Sequence, residues 1–580
     1  MNERTKSAVR PVLVAVLGVL LVGGCGSIPT SGPVTRVADD KGFGESTVRY
    51  APARPVPGAS PQEVVLGYLD AMLAFPVSTG TASAFLTPSA AKGWRPLDGV
   101  RVYSRPTVSA PVPDRSADVD DGDKAGDRVV VRMSSSQIAR LDQQGRYTRM
   151  SGDSDLTYAL QEVDGEWRIA TPQAGLLVSS KYFNDYFRPF DIFMFDNPGR
   201  RLIPVPVYLA VGDQLATSLV ASLARGPADD DKVTRTFVPK LKSLRTSVPI
   251  SGGVADVEFA EEFRTASEST QDHLSAQIVW TLRQVPEIEG VRLSGGSTVL
   301  TRNGLPVQPI DSWGAFGPST SGAQVYGISD DKVVQLEEDR VAPLTGEWGK
   351  DARGAVRIAV SDSGVAGVLA GRSEVRVTNR AGSAPRAYGG SQFVTPRWDR
   401  DGVLWLVDRV GGSTRVRLVR DDLITALPIG SLASLNVLTF SLSPGGSRYT
   451  VTADGGVYVG MIQRSDNNQI VRLTEPQPLA VDAATPTSAV WESDTQLAYL
   501  AGSRISRQVQ YIRIDSSAGD SGVGGGALLP DVGADVLVLG AGDPPIRYAT
   551  DTKDRVWYLP PQGTWHVIKS TEVTGLTYGR

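Results

Sequence analysis

The segment Trp398-Asp399-Arg400-Asp401-Gly402, followed by Val403-Leu404-Trp405-Leu406-Val407, places a polar turn directly before a short apolar strand. A turn of glycine, serine and aspartate between apolar runs is typical of antiparallel strands. The combination returns in varied form along the last part of the chain, at intervals of about 40 to 60 residues. The other copies are Pro318–Gly322, Ser361–Gly364, Ser443–Gly446, Trp491–Asp494 and Asp551–Asp554. This part of the chain is therefore predicted to consist of repeated small β-sheets.

A repeat of this length is the blade period of a β-propeller. The copies predict a C-terminal propeller of about six blades over residues 310–580. The copy at Ser443 also resembles the Ser-Pro-Asp-Gly turn of TolB-like propellers. The alternative is a pair of β-sandwiches whose turns are evenly spaced.

The segment before the propeller, residues 186–302, alternates strand and helix patterns. Val205–Val211 predicts a strand, and an apolar stripe then predicts a helix that ends at Gly226-Pro227. A second stripe, between strands at 255–259 and 290–293, predicts another helix. The stripes are Leu215, Leu219, Val220 and Leu223, then Leu274, Ile278, Leu282 and Val285. With Ser222-Leu223-Ala224-Arg225-Gly226-Pro227, this order resembles the GerMN domain, an α/β domain named from sporulation and germination proteins.

Residues 60–180 are predicted to form an α+β domain. Ser60-Pro61-Gln62-Glu63 is a capping box that predicts the start of a helix. Short β-compatible segments follow from Arg128 onward, and Asp164-Gly165 is a hairpin turn. The hairpin from Tyr158 to Ile169 resembles the terminal hairpin of NTF2-like domains, which implies helices followed by a curved antiparallel sheet.

The N-terminus carries an export signal and a lipidation motif. Arg4, Lys6 and Arg10 precede the apolar run Val12–Val22, so residues 1–24 are predicted to be a signal peptide. Val22-Gly23-Gly24-Cys25 resembles a bacterial lipobox, which implies cleavage between Gly24 and Cys25. It also implies S-diacylglycerol and N-acyl modification of Cys25, an anchor to the outer face of the cell membrane. Residues 25–59 are predicted to be a Pro-rich tether.

The composition offers little for catalysis. The chain has 59 basic and 63 acidic residues, a net charge of −4, and no run of basic residues to suggest nucleic-acid binding. It has one cysteine and two histidines, His273 and His566, which lie in different predicted domains. A Ser-His-Asp triad or a zinc site needs histidines or cysteines brought together. We therefore predict no catalytic residue, no metal site and no cofactor.

Three segments imitate functional motifs and are predicted to be loops. Gly519-Asp520-Ser521-Gly522 resembles the nucleophile segment of trypsin-type proteases, but Val523 replaces the next glycine. Asp118–Asp123 has the charge of a calcium loop without the EF-hand order, and Asp229-Asp230-Asp231 is a second acidic loop.

The blade aromatics are candidates for stacking sugars, although packing between blades is their commoner use. They are Trp398, Trp405, Trp491, Trp557 and Tyr558.

The order of lipobox, tether, NTF2-like module, GerMN domain and propeller resembles the actinobacterial lipoprotein family LpqB over essentially the full chain. The resemblance implies an accessory protein of the MtrA–MtrB two-component system, linked to envelope growth and division. Its partner would be the extracytoplasmic domain of a membrane sensor histidine kinase, MtrB-like, which it modulates by protein–protein contact.

Two other functions stay open at this stage. One is an envelope module that binds peptidoglycan or another glycan without contacting a kinase. The other is a propeller hydrolase, which the scarcity of histidine disfavours.

Overall fold

A computed structural model of the chain describes residues 50–74, 78–114, 128–240, 247–261, 265–318, 324–380, 382–481, 488–501, 508–519, 536–539, 546–551, 553–560 and 564–579. The lipobox, the signal peptide, Asp118–Asp123 and most of Gly519–Gly522 lie outside them. Within the described ranges, no helix is both long and apolar enough to cross a membrane.

The N-terminal domain packs helix α1 against a mainly antiparallel sheet of order β6-β5-β3-β1-β7. The capping box forms, because Ser60 Oγ accepts from the Glu63 amide at 3.4 Å and Glu63 Oε2 accepts from the Ser60 amide at 2.8 Å. Helices are α1 (Pro61–Ala71), α2 (Gly80–Ser83) and α3 (Pro88–Gly93). Strands are β1 (Val100–Val108), β2 (Val112–Pro113), β3 (Arg128–Leu141), β4 (Tyr147–Arg149), β5 (Asp153–Val163), β6 (Glu166–Ile169) and β7 (Leu176–Ser179). The NTF2-like assignment of this α+β domain stays a prediction.

The second domain combines an antiparallel hairpin, β8–β9, with a parallel pair, β12–β13, joined by helix α6. Its helices are α4 (Ser180–Tyr186), α5 (Leu215–Arg225) and α6 (Glu268–Leu282). Its strands are β8 (Phe187–Asp196), β9 (Leu202–Ala210), β10 (Thr234–Arg235), β11 (Ile250–Ser251), β12 (Val254–Phe259), β13 (Gly290–Gly295), β14 (Thr298–Val299) and β15 (Gln308–Pro309).

Both predicted helical stripes are buried in this domain. Leu219 and Leu223 on α5 and Ile278 on α6 are fully buried. Helix α5 ends where predicted, because Gly226 adopts a φ of +78° and donates its amide to Leu223. Sequence patterning missed β8: its apolar residues are buried on both faces, so the strand does not alternate.

The propeller contains six described sheets arranged around one axis. Sheet 1 is β16 (Val325–Ser329), β17 (Lys332–Glu337), β18 (Arg340–Pro343) and the C-terminal β39 (Thr574–Tyr578); sheet 2 is β19 (Ala355–Ser361), β20 (Gly364–Leu369), β21 (Glu374–Thr378) and β22 (Arg386–Gly389). Sheet 3 is β23 (Arg397–Trp398), β24 (Leu404–Val410), β25 (Ser413–Arg420) and β26 (Leu423–Ala426); sheet 4 is β27 (Val437–Leu442), β28 (Arg448–Ala453), β29 (Gly456–Arg464), β30 (Ile470–Leu473) and β31 (Gln477–Pro478). Sheet 5 is β32 (Ala489–Trp491), β33 (Gln496–Ala501) and β34 (Gln508–Arg513); sheet 6 is β35 (Val536–Leu539), β36 (Arg547–Thr550), β37 (Arg555–Leu559) and β38 (His566–Glu572).

The ring is closed by the C-terminal strand. Strand β39 pairs antiparallel with β16, Tyr326 lying opposite Thr577, and so supplies the inner strand of sheet 1. It also contacts β19 and β35, the inner strands of the two neighbouring sheets. The sequence did not indicate which end of the chain closes the propeller.

Four of the repeated turns lie at equivalent positions in the propeller. The turns at Ser361, Asp399, Ser443 and Ser493 each join the first strand of a sheet to the second. The copy at Pro318–Gly322 lies, except for Pro318, outside the described residues. The copy at Asp551 lies between the second and third strands of sheet 6 and is therefore not equivalent to those four. The number of described sheets agrees with the prediction of about six blades.

Candidate interaction surface

The hairpin β8–β9 of the second domain lies against the turns of propeller sheets 3 and 4. Arg201, in the hairpin turn, forms an ion pair with Asp401 in the turn of sheet 3. Arg448, at the start of β28, donates from Nη2 to the carbonyl oxygen of Pro204 at 2.7 Å. Both arginines are largely buried, with 12% of the Arg201 side chain and 4% of Arg448 exposed. The contact is therefore polar and largely shielded from water.

A second ion pair connects the same hairpin with sheet 5. Asp191, in β8, accepts from Arg513 Nη2 at 3.1 Å and from the Thr495 hydroxyl at 3.4 Å. Arg513 ends β34, and Thr495 lies in the turn after β32. Three consecutive sheets of the propeller thus bind one hairpin.

Arg464 extends the network inside the propeller. Its side chain is 3% exposed and lies 3.4 Å from Asp401 Oδ2 and 3.8 Å from Asp399 Oδ2. Asp399 also accepts at Oδ1 from the amides of Asp401 and Val403, both at 2.9 Å. The turn that pairs with Arg201 is therefore fixed by hydrogen bonds within sheet 3 and by Arg464 of sheet 4.

The pKa values of two carboxyl groups on this surface shift in opposite directions. Burial would raise the pKa of Asp401, but the adjacent Arg201 and Arg464 outweigh it and hold the pKa below its ordinary value. At Asp191 burial dominates and raises the pKa despite the nearby Arg513 and Arg448. Burial also lowers the pKa of Arg448. Such pairs fix how two surfaces meet more than they strengthen the contact, because desolvation offsets much of the attraction.

The N-terminal domain joins the same assembly. Arg149 Nη1, in β4, donates to the carbonyl oxygen of Ala480 in the propeller at 3.2 Å. The ring of Tyr147 lies 5.2 Å from that of Tyr208 in β9, and the Tyr208 amide donates to the Gly145 carbonyl at 2.7 Å. All three domains therefore contact one another.

Comparison with known proteins gives the family. Residues 54–184 match the model "Lipoprotein LpqB, N-terminal domain", and residues 331–569 match "Lipoprotein LpqB beta-propeller domain". Residues 186–298 match the Germane model, described as "Sporulation and spore germination". The chain belongs to the LpqB lipoprotein family. The GerMN and propeller predictions are confirmed.

LpqB relatives resemble the chain along most of its length. Lipoprotein LpqB of Thermobifida fusca is 28% identical over 558 residues, covering 84% of this chain and 86% of the relative. That of Rhodococcus jostii is 24% identical, covering 89% and 88%. Among solved structures, TolB from Acinetobacter baumannii aligns with a TM-score of 0.32 at 11% identity, covering 51% of this chain and 85% of TolB.

The name of the LpqB relatives implies a lipid-anchored envelope protein. Cys25 and Gly24, the residues expected to carry the anchor and the cleavage site, lie outside the described residues. Lipidation at Cys25 stays a prediction for this member of the LpqB family.

The two histidines lie in different domains, and each contacts an aromatic ring. His273, in α6, has Nε2 2.8 Å from the Gly199 carbonyl oxygen, and its ring stacks on Phe237 with centroids 4.4 Å apart. His566 begins β38 and lies against Tyr558, 5.4 Å between ring centroids. His273 Nδ1 also lies 3.4 Å from the hydroxyl oxygen of Ser269, one turn earlier in the same helix. The described residues contain no group of three or more His, Cys, Asp or Glu side chains suited to a metal.

The acidic loop at 229–231 is divided in its roles. Asp229 and Asp230 are exposed, as expected of a loop. Asp231 instead accepts from the amides of Val233 at 2.7 Å and Thr234 at 3.0 Å, and so fixes the turn before β10.

Two of the blade aromatics, Trp405 and Trp491, are buried in the packing of the propeller. Trp405 is fully buried, and its ring stacks on Phe440 of the next sheet, 5.7 Å between centroids. Trp491 is 4% exposed. These side chains are not available to stack sugars, whereas Trp557 and Tyr558 are partly exposed.

Sequence reasoning missed a hydrogen bond shared by two of the turns. Asp399 Oδ2 accepts from Trp405 Nε1 at 3.3 Å, and Asp551 Oδ2 accepts from Trp557 Nε1 at 3.1 Å. In both turns an aspartate precedes its tryptophan by six residues. That spacing was readable in the sequence and would have identified these aspartates as turn-fixing residues.

Proposed function

We propose that this LpqB-family chain is a membrane-anchored extracytoplasmic lipoprotein that modulates a two-component sensor histidine kinase, MtrB-like, by protein–protein contact. The role would couple the kinase to cell-envelope growth and division. The observation that supports it best is the buried network joining Arg201, Asp401 and Arg464 across two domains. A regulator that acts by contact needs a surface of constant shape, and a fixed domain arrangement supplies one.

Anchoring supports the proposal through concentration. A lipid anchor at Cys25 would confine the chain beside other membrane proteins, so that a modest interface would suffice for binding. Fold alone does not decide between binding partners.

In-cell photo-crosslinking tests the proposal. A photoreactive amino acid is placed at one exposed position on each domain: Leu97, Leu305 or Leu423, which are 70%, 53% and 70% exposed. Substitution at these positions disturbs no buried core. Crosslinked partners are then purified through a tag on the full-length lipoprotein and identified by mass spectrometry.

We expect a crosslink to the outer domain of a sensor kinase from at least one position and not from all three. The matched control carries the same photoreactive residue together with Cys25→Ala, which should remove the crosslink if anchoring is required. Recovery of peptidoglycan or its synthesis enzymes without any kinase would reject the signalling role and favour the glycan-binding alternative.

A further inference from the structure

A cavity of about 390 Å³ lies where the N-terminal domain meets the propeller. One wall is residues 147–151, which include β4, and the other walls are residues 477–480 and 514–516 of sheets 4 and 5. Cavities of this size at domain boundaries are common binding sites for small ligands or for part of a larger one. The packed aromatic pair Tyr147 and Tyr208 forms one end of this junction.

The carboxylate of Asp515 lines this cavity and is only partly satisfied. Its Oδ1 accepts from the Ser517 amide at 2.9 Å and from the Ser517 hydroxyl at 2.6 Å. Its Oδ2 is buried and has no hydrogen-bond partner among the described residues. A buried carboxylate oxygen without a donor costs free energy, so its persistence needs an explanation.

The arginines near Asp515 do not donate a hydrogen bond to its Oδ2 atom. Burial raises its pKa, while hydrogen bonds from Ser517 and the positive charge of Arg513 act in the opposite direction. Arg513 donates to Asp191 across the domain contact, and Arg149 donates to the Ala480 carbonyl. A perturbed carboxyl group in a cavity is a recognised indicator of a binding site.

One wall of the cavity offers a strand edge. Within the described residues, β4 pairs only with β3, so its second edge lies outside any described sheet. The chain beside β31 is already occupied, because Ala480 donates its amide to Ser516 Oγ at 3.1 Å and accepts from Arg149. Open strand edges bind extended peptides through main-chain hydrogen bonds, and pockets for side chains add specificity. A single carboxylate is too few ligands for calcium, which takes six to eight oxygens.

We propose that this junction cavity binds an extended peptide segment of a partner protein, whose lysine or arginine side chain pairs with Asp515. The cationic side chain supplies the donor that the Asp515 carboxylate lacks, and the open edge of β4 holds the backbone beside it. The inference goes beyond the kinase proposal and holds for any partner that offers such a segment. Because all three domains meet at the junction, an occupant would contact the N-terminal domain and the propeller together.

Peptide pools test the site on the full-length lipoprotein in detergent micelles. Each pool is a five-residue peptide with mixed outer positions and a fixed central lysine, arginine, glutamine or glutamate. Bound peptide is quantified by mass spectrometry after equilibrium dialysis. We expect the lysine and arginine pools to be retained about tenfold more strongly than the glutamine pool.

Two variants and one control assign the retention to Asp515. Asp515→Asn preserves the shape and the contacts with Ser517 and should abolish the preference for lysine over glutamine. Thr148→Arg, at an exposed position on the cavity wall, should do so by repelling the cation. Asp362→Asn, at an exposed propeller turn, should leave the preference unchanged. Equal retention of the lysine and glutamine pools by the unmodified chain, or an unaltered preference in both variants, overturns the proposal.

Discussion

Arg448 in the propeller reaches Pro204 in the second domain, 244 residues earlier in the chain, with a 2.7 Å hydrogen bond from Nη2 to the carbonyl oxygen. The same guanidinium donates from Nη1 to the Asp494 carbonyl at 3.1 Å. One buried side chain therefore joins sheets 4 and 5 to the hairpin β8–β9. The contact between domains depends on a cation that uses backbone carbonyls as acceptors.

Replacing this cation should weaken the whole assembly. Arg448→Met keeps the side-chain length but leaves two buried carbonyl oxygens without donors, and we expect a loss of about 2–3 kcal/mol in the free energy of unfolding. Urea unfolding followed by tryptophan fluorescence measures it. Arg376→Met, which removes an exposed arginine paired with Glu374, should cost less than about 1 kcal/mol. A similar loss in both variants would show that the buried Arg448 contact stabilises the chain no more than the exposed Arg376 pair does.

Acid should weaken the contact through Asp401. Its pKa in the folded chain is lowered, so its stabilising contribution is present above the unfolded pKa of about 3.9 and is lost as the pH falls through the folded value. We expect the stability difference between the unmodified chain and Asp401→Asn to shrink between about pH 5 and pH 3. Denaturant unfolding at a series of pH values measures it, and a constant difference would contradict the assignment.

The contribution of Asp191 to stability should change with pH in the opposite direction to that of Asp401, so Asp191 serves as an internal comparison. Its folded pKa is raised, so it favours the folded state at low pH and this contribution is lost as the pH rises through the raised value. The stability of Asp191→Asn relative to the unmodified chain should therefore improve with rising pH above about 4. A decline over the same range would mean that Arg513 outweighs burial at this site.

The turn of sheet 3 should depend on one aspartate. Asp399 is 3% exposed and accepts from two backbone amides and from Trp405 Nε1. Asp399→Ala leaves these donors unsatisfied, and we expect a cost of about 2–3 kcal/mol, measured by thermal or urea unfolding. Asp362→Ala, at the exposed equivalent turn of sheet 2, should change stability by less than about 0.5 kcal/mol.

Closure of the propeller should be sensitive at its last strand. Leu576 is 4% exposed and packs among side chains of sheets 1 and 6. Leu576→Ala should cost about 2–4 kcal/mol through lost packing and the cavity left behind. Leu438→Ala, which truncates a leucine that is 52% exposed on β27, should cost less than about 1 kcal/mol. Equal losses of stability in the two variants would show that packing around Leu576 does not hold the ring closed.

The anchor is tested at Cys25. Cys25→Ala removes the thiol to which diacylglycerol would be attached, and we expect an uncleaved or mislocalised precursor. Membrane fractionation and intact mass measurement of the tagged protein report both changes. Mature, membrane-bound protein in this variant would reject the anchor assignment.

Local sequence patterns predicted local structure well. The capping box at Ser60 forms, the stripe through Leu219 faces the core, and the turns at Asp399 and Ser443 separate paired strands. Each of these features depends on residues close together in the chain, so spacing alone carries the information. The prediction of β8 failed because a strand buried on both sides has no alternation.

The contacts between domains could not be predicted in this way. The partners of Arg201 and Arg448 are 200 and 244 residues away, and the sequence around them resembles that of other polar turns. Asp515 likewise differs from exposed aspartates only through burial imposed by the fold. Docking geometry depends on the shapes of finished domains, and a single sequence does not display it.

The pairing of β39 with β16 constrains how the protein is made. Thr574 Oγ1 lies 3.5 Å from the carbonyl oxygen of Ile328, and 246 residues separate the two. A chain that lacks β39 therefore holds an incomplete ring, with the inner edge of sheet 1 open to unwanted pairing. The earliest sheet of the propeller acquires its inner strand only after the other five described sheets have been synthesised. The order of synthesis thus delays the closing step of the fold.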